Sequence, residues 1–361
     1  MLLYADTLAK GLSQKGHAVR NISPGAFFGK CLPTSSGLGK WLGHIDKYIV
    51  FNIALRRELK GVDVVHVCDH SNSMYLPILR DVPSVITCHD VLAIAAAKGK
   101  FKEHGFGWSG KLLQSWISNN LAKAKRIVCV SKTTALALDE MLGIDSDVAR
   151  VIYNPLFHPY TVVDEQESVR GVAELGVGAD VSFVLHVGGN TWYKNRRGVV
   201  GIFKELKRKT IGSNLKLVLV GPLADPTLRD EITRSGLSDD VLMLSNIANE
   251  DLCLLYNRAK CFVFPSLYEG FGCPPVEAMA CGCLVFATNR APMTEVLGDG
   301  AIFIDPEDYS SSASLIANVL EDPDESRAAI KKGLEHIKQF DPSTCVDRYI
   351  EIYNQAISDY L

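Results

Sequence analysis

The chain has 361 residues, of which 47% are hydrophobic and 22% charged, and carries a net charge of −3. That length suits about two globular domains, each able to bury a core, and the lack of a basic excess excludes nucleic acid as an electrostatically held partner. Ten cysteines with no CxxC pair are too sparse for a disulfide scaffold, and several sit in apolar runs such as "VVHVCD" and "RIVCVS", where cysteine acts as a small hydrophobe in a reduced, cytoplasmic interior.

The first residues show no basic segment followed by an apolar run, so they do not read as a secretory signal. They read as a helix instead. In "MLLYADTLAKGLSQKGHAV", Tyr4, Leu8 and Leu12 recur at helical spacing and Gly16 fits the residue just past the end. A parallel α/β domain usually opens on a strand, so the expectation is that a first strand is missing ahead of this helix. Short apolar, β-branched runs then alternate with helix-period segments, the pattern of parallel strands joined by crossover helices. The strand candidates are "HAVRNIS", "DVVHVCD", "PSVITCHD", "RIVCVS" and "VARVIYN", followed by "SFVLHVGG", "LKLVLVGP", "DVLMLS", "CFVFPS", "CLVFAT" and "AIFID".

The stretch from 39 to 60, "GKWLGHIDKYIVFNIALRRELK", sets Trp41, Leu42, Ile45, Tyr48 and Ile49 on one helical stripe near Lys40, Lys47, Arg56 and Arg57. It reads either as a core-packing helix or as one resting on an anionic bilayer. No apolar run reaches the roughly 18 to 20 residues of a membrane span. A proline-containing, charged linker is placed near 156 to 165. After Asp341 the chain reads as one helix, with Val346, Tyr349, Ile350, Tyr353 and Ile357 in register. The expected architecture is α/β, two doubly wound Rossmann-like domains facing across a cleft: 1–157, with helix 342–361 packing back on it, and 158–341. Ligands in such sheets bind beyond the carboxyl ends of the strands.

One of those ends carries unusual chemistry. In "PSLYEGFGCPPVEAMACG", residues 265 to 282, Glu269 falls on the loop after a strand, and Pro275 suits the first turn of the next helix, which would also hold Glu277. Gly270 and Gly272 let backbone amides approach a ligand. A helix N-terminus favours phosphate, while carboxylates accept from sugar hydroxyls and ribose diols. A nucleotide sugar asks for both. The plainer alternative makes Glu269 a solvated loop residue and Glu277 a complement to the helix dipole.

E-G-F-G-C-P-P-V-E resembles the E-x7-E motif of retaining glycosyltransferases of the GT-B fold, specifically glycosyltransferase family 4 (glycosyl transferases group 1). The resemblance covers most of the chain: "HVGGNTWYKNRRGVVGIFKEL" is similar to the family's phosphate-binding stretch, and "VVHVCD", "VITCHD", "RIVCVSKTT", "VIYNP", "LVLVGP" and "EAMACGCLVFATN" follow in the family's order.

It implies roles residue by residue. Glu269 accepts from donor-sugar hydroxyls, the Phe271 and Gly272 amides lie beside sugar and phosphate, and Glu277 binds the ribose diol. Lys194 neutralises the diphosphate, Gly188 and Gly189 keep the backbone close to the ligand, and His89 faces the donor sugar from the N-terminal domain. Catalysis thus rests on Glu269, His89 and Lys194. Asn195 follows the lysine as in the family or caps the helix. Where the family has arginine before the lysine this chain has Tyr193, so Arg196 or Arg197 supplies the second positive charge, and Trp192 and Tyr193 alternatively line the cleft. The implied partners are a UDP- or GDP-sugar donor and a glycan or lipid-linked acceptor; peripheral membrane contact is the bilayer reading of the 39–60 stretch. No metal or other cofactor is implied, and a site at Cys273, Cys281 and Cys283 lacks zinc-knuckle spacing. In the family a strand and a glycine-rich loop precede the first helix, so the resemblance implies an active form longer by roughly 15 to 30 residues or a strand from another chain to cover the sheet edge. A non-catalytic nucleotide-sugar-binding subunit is the second reading; a dinucleotide oxidoreductase fails for want of G-x-G-x-x-G.

Overall fold

The computed structural model describes residues 2–25, 43, 45–101 and 105–361. It divides into two compact units, 1–153 with 342–361, and 154–341. Lys40, Trp41 and Leu42 of the candidate membrane helix lie outside the described residues.

The first unit holds a parallel sheet in the order β1 (Val65–Val67), β2 (Ser84–Cys88), β3 (Ile127–Cys129) and β4 (Ala149–Val151). "HAVRNIS" does not form the strand expected of it: residues 17–23 are irregular and largely exposed. A strand exists only where a neighbour's backbone groups pair with it, and apolar alternation alone supplies no neighbour. Among the described residues β1 and β4 are the two edges of this sheet.

Helix Leu2–Gln14 buries Tyr4, Leu8 and Leu12. Helix Pro342–Ser358 buries Val346, Tyr349 and Tyr353 against the same unit. A polar network fixes both. The Tyr4 hydroxyl meets Thr87 Oγ1 at 3.0 Å and donates to the Tyr349 hydroxyl. His66 bridges Thr87 Oγ1 at 2.7 Å and the Tyr353 hydroxyl at 2.8 Å. Burial pushes the His66 imidazole down to about 3, so the ring is neutral and serves as donor on one nitrogen and acceptor on the other.

The second unit is a six-stranded parallel sheet in the order β10-β9-β8-β5-β6-β7. Its strands are β5 (Phe183–Val187), β6 (Lys216–Val220), β7 (Val241–Leu244), β8 (Cys261–Phe264), β9 (Val285–Thr288) and β10 (Ile302–Ile304). Phe183, Leu217, Phe262, Phe264 and Phe286 are wholly buried because helices cover both faces, which is why these strands read as unbroken apolar runs. The sheet grows outward in two directions from β5: β6 and β7 on one side, β8, β9 and β10 on the other. The carboxyl ends of β5 and β8 therefore flank the topological switch point, where the connections leave in opposite directions and sheets of this kind bind their ligands.

Candidate active site

Two loops meet at that switch point. After β5 the chain runs through Gly188 and Gly189 to a 3-10 turn, Trp192–Lys194, and then into helix Arg196–Leu206. After β8 it runs through Pro265 to Gly272 and into helix Cys273–Ala280. The Leu267 amide donates to the Tyr193 carbonyl at 2.7 Å. Asn195, in the left-handed region with φ 51°, caps its helix by accepting from the Gly198 amide at 3.1 Å. Its Nδ2 donates to the Pro265 carbonyl at 2.9 Å. The cap reading of Asn195 is therefore the one its side chain enacts, and the same contacts lock the two loops together.

This lock brings Lys194 to Glu269. Lys194 Nζ donates to Glu269 Oε1 at 2.7 Å, with 21% and 9% of the side chains exposed. The ammonium also stands 5.4 Å from the centre of the Phe264 ring. The two arginines differ in burial. Arg197 is exposed and reaches Glu231 at 3.6 Å. Arg196 is only 4% exposed; its Nη1 donates to Asn190 Oδ1 and to the Pro222 carbonyl at 2.7 Å. Its Nε and Nη2 are buried and find no acceptor among the described residues. Buried guanidinium donors without a partner are costly and call for an explanation.

Helix Cys273–Ala280 starts two residues before the Pro275 expected to open it. Gly272, with φ +90°, turns the chain there, and a Cβ at this position would lie 2.3 Å from Met293 Cε. Glu277 is consequently beyond the first turn, which weakens the helix-dipole account of it. It accepts instead from the Tyr256 hydroxyl at 3.0 Å. Burial pushes its carboxyl up to about 7, against a smaller lowering by that hydrogen bond. Phe271 turns its ring into the core, edge-on to Phe340 at 5.7 Å between centroids.

His89 lies in the other unit, just past the carboxyl end of β2. Its Nε2 donates to the Cys68 carbonyl at 2.9 Å, and its ring stands edge-on to Tyr4 at 4.8 Å. Burial lowers its pKa, so the ring is neutral at pH 7 with Nδ1 left as an acceptor.

Sequence reasoning missed His186 and Tyr256. His186 sits in mid-β5, wholly buried, its Nδ1 donating to the Val263 carbonyl at 2.9 Å. Burial, with the cations of Arg196 and Lys194 nearby, drives its pKa down to about 3. The signal was a polar residue inside an otherwise apolar strand. Cys273, Cys281 and Cys283 do not converge: Cys281 Sγ faces Cys253 Sγ at 3.6 Å. Among the described residues no group of three His, Cys, Asp or Glu is arranged to hold a metal.

The family glycosyl transferases group 1 matches residues 173–336, and glycosyltransferase family 4 matches residues 3–156. The chain is 33% identical over 288 residues to the O-antigen chain mannosyltransferase B of Escherichia coli, spanning 79% of this chain and 73% of that protein. The chain belongs to the glycosyl transferases group 1 family. It is a glycosyltransferase, with its glycosyltransferase family 4 segment in the first unit. The fold is GT-B. A sucrose-phosphate synthase from Thermosynechococcus elongatus matches it with a TM-score of 0.76 at 20% identity, covering 99% of this chain and 93% of that one. HepE from Anabaena, solved with UDP and glucose, matches with a TM-score of 0.70 at 20% identity, covering 94% and 87%.

Proposed function

We propose that this glycosyltransferase moves a hexosyl group, with retained anomeric configuration, from a nucleoside-diphosphate sugar to an acceptor hydroxyl in polysaccharide or glycolipid assembly. The observation that carries this reading is the meeting of Lys194 and Glu269 at the β5/β8 switch point, a cation and a hydroxyl acceptor side by side. The second unit, 158–341 in our assignment, takes the donor, and the first, with the C-terminal helix, takes the acceptor. Lys194 and Arg196 neutralise the diphosphate, and Gly188, Gly189 and the Phe271 and Gly272 amides give it close backbone. Glu277 accepts from the ribose diol, Glu269 from the sugar hydroxyls, and His89 contacts the donor sugar from its own unit. Asn195 acts on the donor through the helix start it caps.

In this scheme the bond from the anomeric carbon to the leaving diphosphate oxygen breaks while the acceptor oxygen bonds on the same face. The acceptor proton passes to the departing phosphate oxygen. Lys194 and Arg196 stabilise the charge that develops there. Glu269 stays an acceptor and forms no covalent bond, unlike the nucleophile of a retaining glycosidase.

The E. coli relative is a mannosyltransferase and the Anabaena neighbour was solved with UDP and glucose, so mannosyl and glucosyl donors on UDP or GDP lead the candidates. We place the enzyme in the cytoplasm, a reading supported by its cysteines, which are free thiols among the described residues. Thermal melts against a panel of nucleotide sugars test the donor assignment, since a ligand that binds only the folded state raises Tm. One donor should raise Tm and release nucleoside diphosphate with acceptor. A chain stabilised by none of the panel would overturn the assignment.

A further inference from the structure

The first unit shows apolar surface that its own core does not use. Helix Trp108–Leu121 buries Ile117 and Leu121 on one side. On another it carries Trp108, Leu112 and Trp116, spaced i, i+4, i+8 and exposed to 80%, 64% and 42%. The π-helical turn Asp46–Val50 and helix Phe51–Glu58 add Ile49 and Ile53, exposed to 57% and 54%. The two segments touch, with Tyr48 edge-on to Trp116 at 5.4 Å between centroids. Both also pack on the segment His70–Ile78: Phe51 stacks edge-on to Tyr75 at 5.1 Å, and the Tyr75 hydroxyl donates to the Lys47 carbonyl at 2.8 Å. Together these neighbouring segments present a strip of exposed aromatic and aliphatic side chains, which a water-facing surface does not favour.

Its charge says what covers it. Helix Trp108–Leu121 contains Lys111 and no acidic residue. In the 45–58 segment Asp46 is buried and Glu58 is held by Arg20 at 3.0 Å, which leaves Arg56 and Arg57 exposed without compensation from their own helix. Between Asp90 and Asp139 the chain has eight Lys and Arg and one acidic residue, Glu103. The first unit has 20 Lys and Arg against 15 Asp and Glu, a net of +5, while the second has 18 against 26, a net of −8. Tryptophans beside lysines and arginines on an amphipathic face suit the headgroup level of an anionic membrane.

We infer that this strip, Trp108, Leu112 and Trp116 with Ile49 and Ile53, is a docking surface for an anionic phospholipid bilayer. The apolar side chains enter the acyl boundary, and Lys111, Arg56 and Arg57 meet lipid phosphates. The surface lies within the first unit alone and is independent of the donor assignment.

Co-sedimentation of the full chain with phosphatidylcholine–phosphatidylglycerol vesicles tests it without any turnover. The chain binds the mixed vesicles at low salt and not pure phosphatidylcholine, and binding weakens as salt screens the phosphates. The variant Trp108→Ser/Leu112→Ser loses about tenfold or more in binding, as expected for removing two inserted side chains. Leu136→Ser, at a side chain 69% exposed on another helix, leaves binding unchanged. Unaltered melting of the variants shows that the fold is kept. Absence of binding at low salt, or binding indifferent to the double variant, overturns the proposal. So does a wild-type dimer in sedimentation velocity that the double variant dissolves while neither protein binds vesicles, because the strip then joins two copies of the chain.

Discussion

Lys194 Nζ lies 2.7 Å from Glu269 Oε1 although 75 positions separate the two in the chain. The contact exists because Asn195 ties the start of its helix to the Pro265 carbonyl, so the β5 and β8 loops arrive together. In the free enzyme each side chain is the other's counter-ion. Donor binding must redistribute that pair, giving the ammonium to phosphate and the carboxylate to sugar.

The first prediction follows from this pairing. Lys194→Ala removes the cation beside a mostly buried carboxylate and should cost on the order of 1 to 3 kcal/mol in unfolding free energy. Adding Glu269→Gln should restore part of the loss, which a double-mutant cycle on denaturant melts would read. Calorimetry should find that Lys194→Ala weakens nucleoside diphosphate far more than nucleoside. Equal losses for both ligands would reduce the lysine to a structural counter-ion.

Glu277 makes stability depend on pH. Burial holds its carboxyl at about 7 against an ordinary 4.5. The folded state therefore keeps a proton that the unfolded chain has already released. Stability attributable to this group is greatest below about pH 4.5 and falls as pH rises to about 7. Glu277→Gln should match wild type near the acid end and exceed it at pH 8, by at most about 3 kcal/mol. Nucleotide affinity should instead drop in the variant. Tyr256→Phe removes the hydroxyl donor that stabilises the carboxylate, so the wild-type pH profile should move to higher pH. A profile unmoved by Tyr256→Phe would separate the tyrosine from the titration.

Gly189 and Gly221 provide a contrast in glycine use. A Cβ on Gly189 meets nothing within 4 Å, whereas one on Gly221, at φ +142°, would lie 2.2 Å from the Gly188 carbonyl oxygen. Gly221→Ala should lower Tm, because the backbone would have to shift. Gly189→Ala should leave Tm alone and weaken the donor about tenfold or more if the ligand approaches that backbone. Undiminished donor affinity would remove Gly189 from the site.

Arg196 and Arg197 differ in burial and in partners. Arg197→Ala should change donor affinity and stability by less than about 0.5 kcal/mol, as for an exposed ion pair. Arg196→Lys keeps the charge and loses the fork, and should weaken nucleoside diphosphate more than nucleoside monophosphate. Isothermal titration with the two ligands distinguishes a diphosphate contact from a structural role, which would weaken both alike.

Ten of the eleven strands expected from the sequence are present, because an unbroken apolar, β-branched run needs cover on both faces and a parallel sheet joined by crossover helices offers it. The opening helix with Tyr4, Leu8 and Leu12 buried, and the helix after Asp341, were equally legible from local spacing. So were the positions of Lys194 and Glu269 on loops after strands. What local pattern did not contain was pairing. Residues 17–23 have a strand's composition and form no strand among the described residues. Gly272 at positive φ started the 273–280 helix earlier than the prolines suggested. Nothing in "KNRRG" says that Arg196 turns inward and Arg197 outward, and nothing in "PPVE" says that burial will raise the pKa of Glu277 while Tyr256 donates to it. Spacing along the chain encodes which face of an element is apolar. Desolvation and counter-charge depend on which distant residues share that face, and only the tertiary structure decided that.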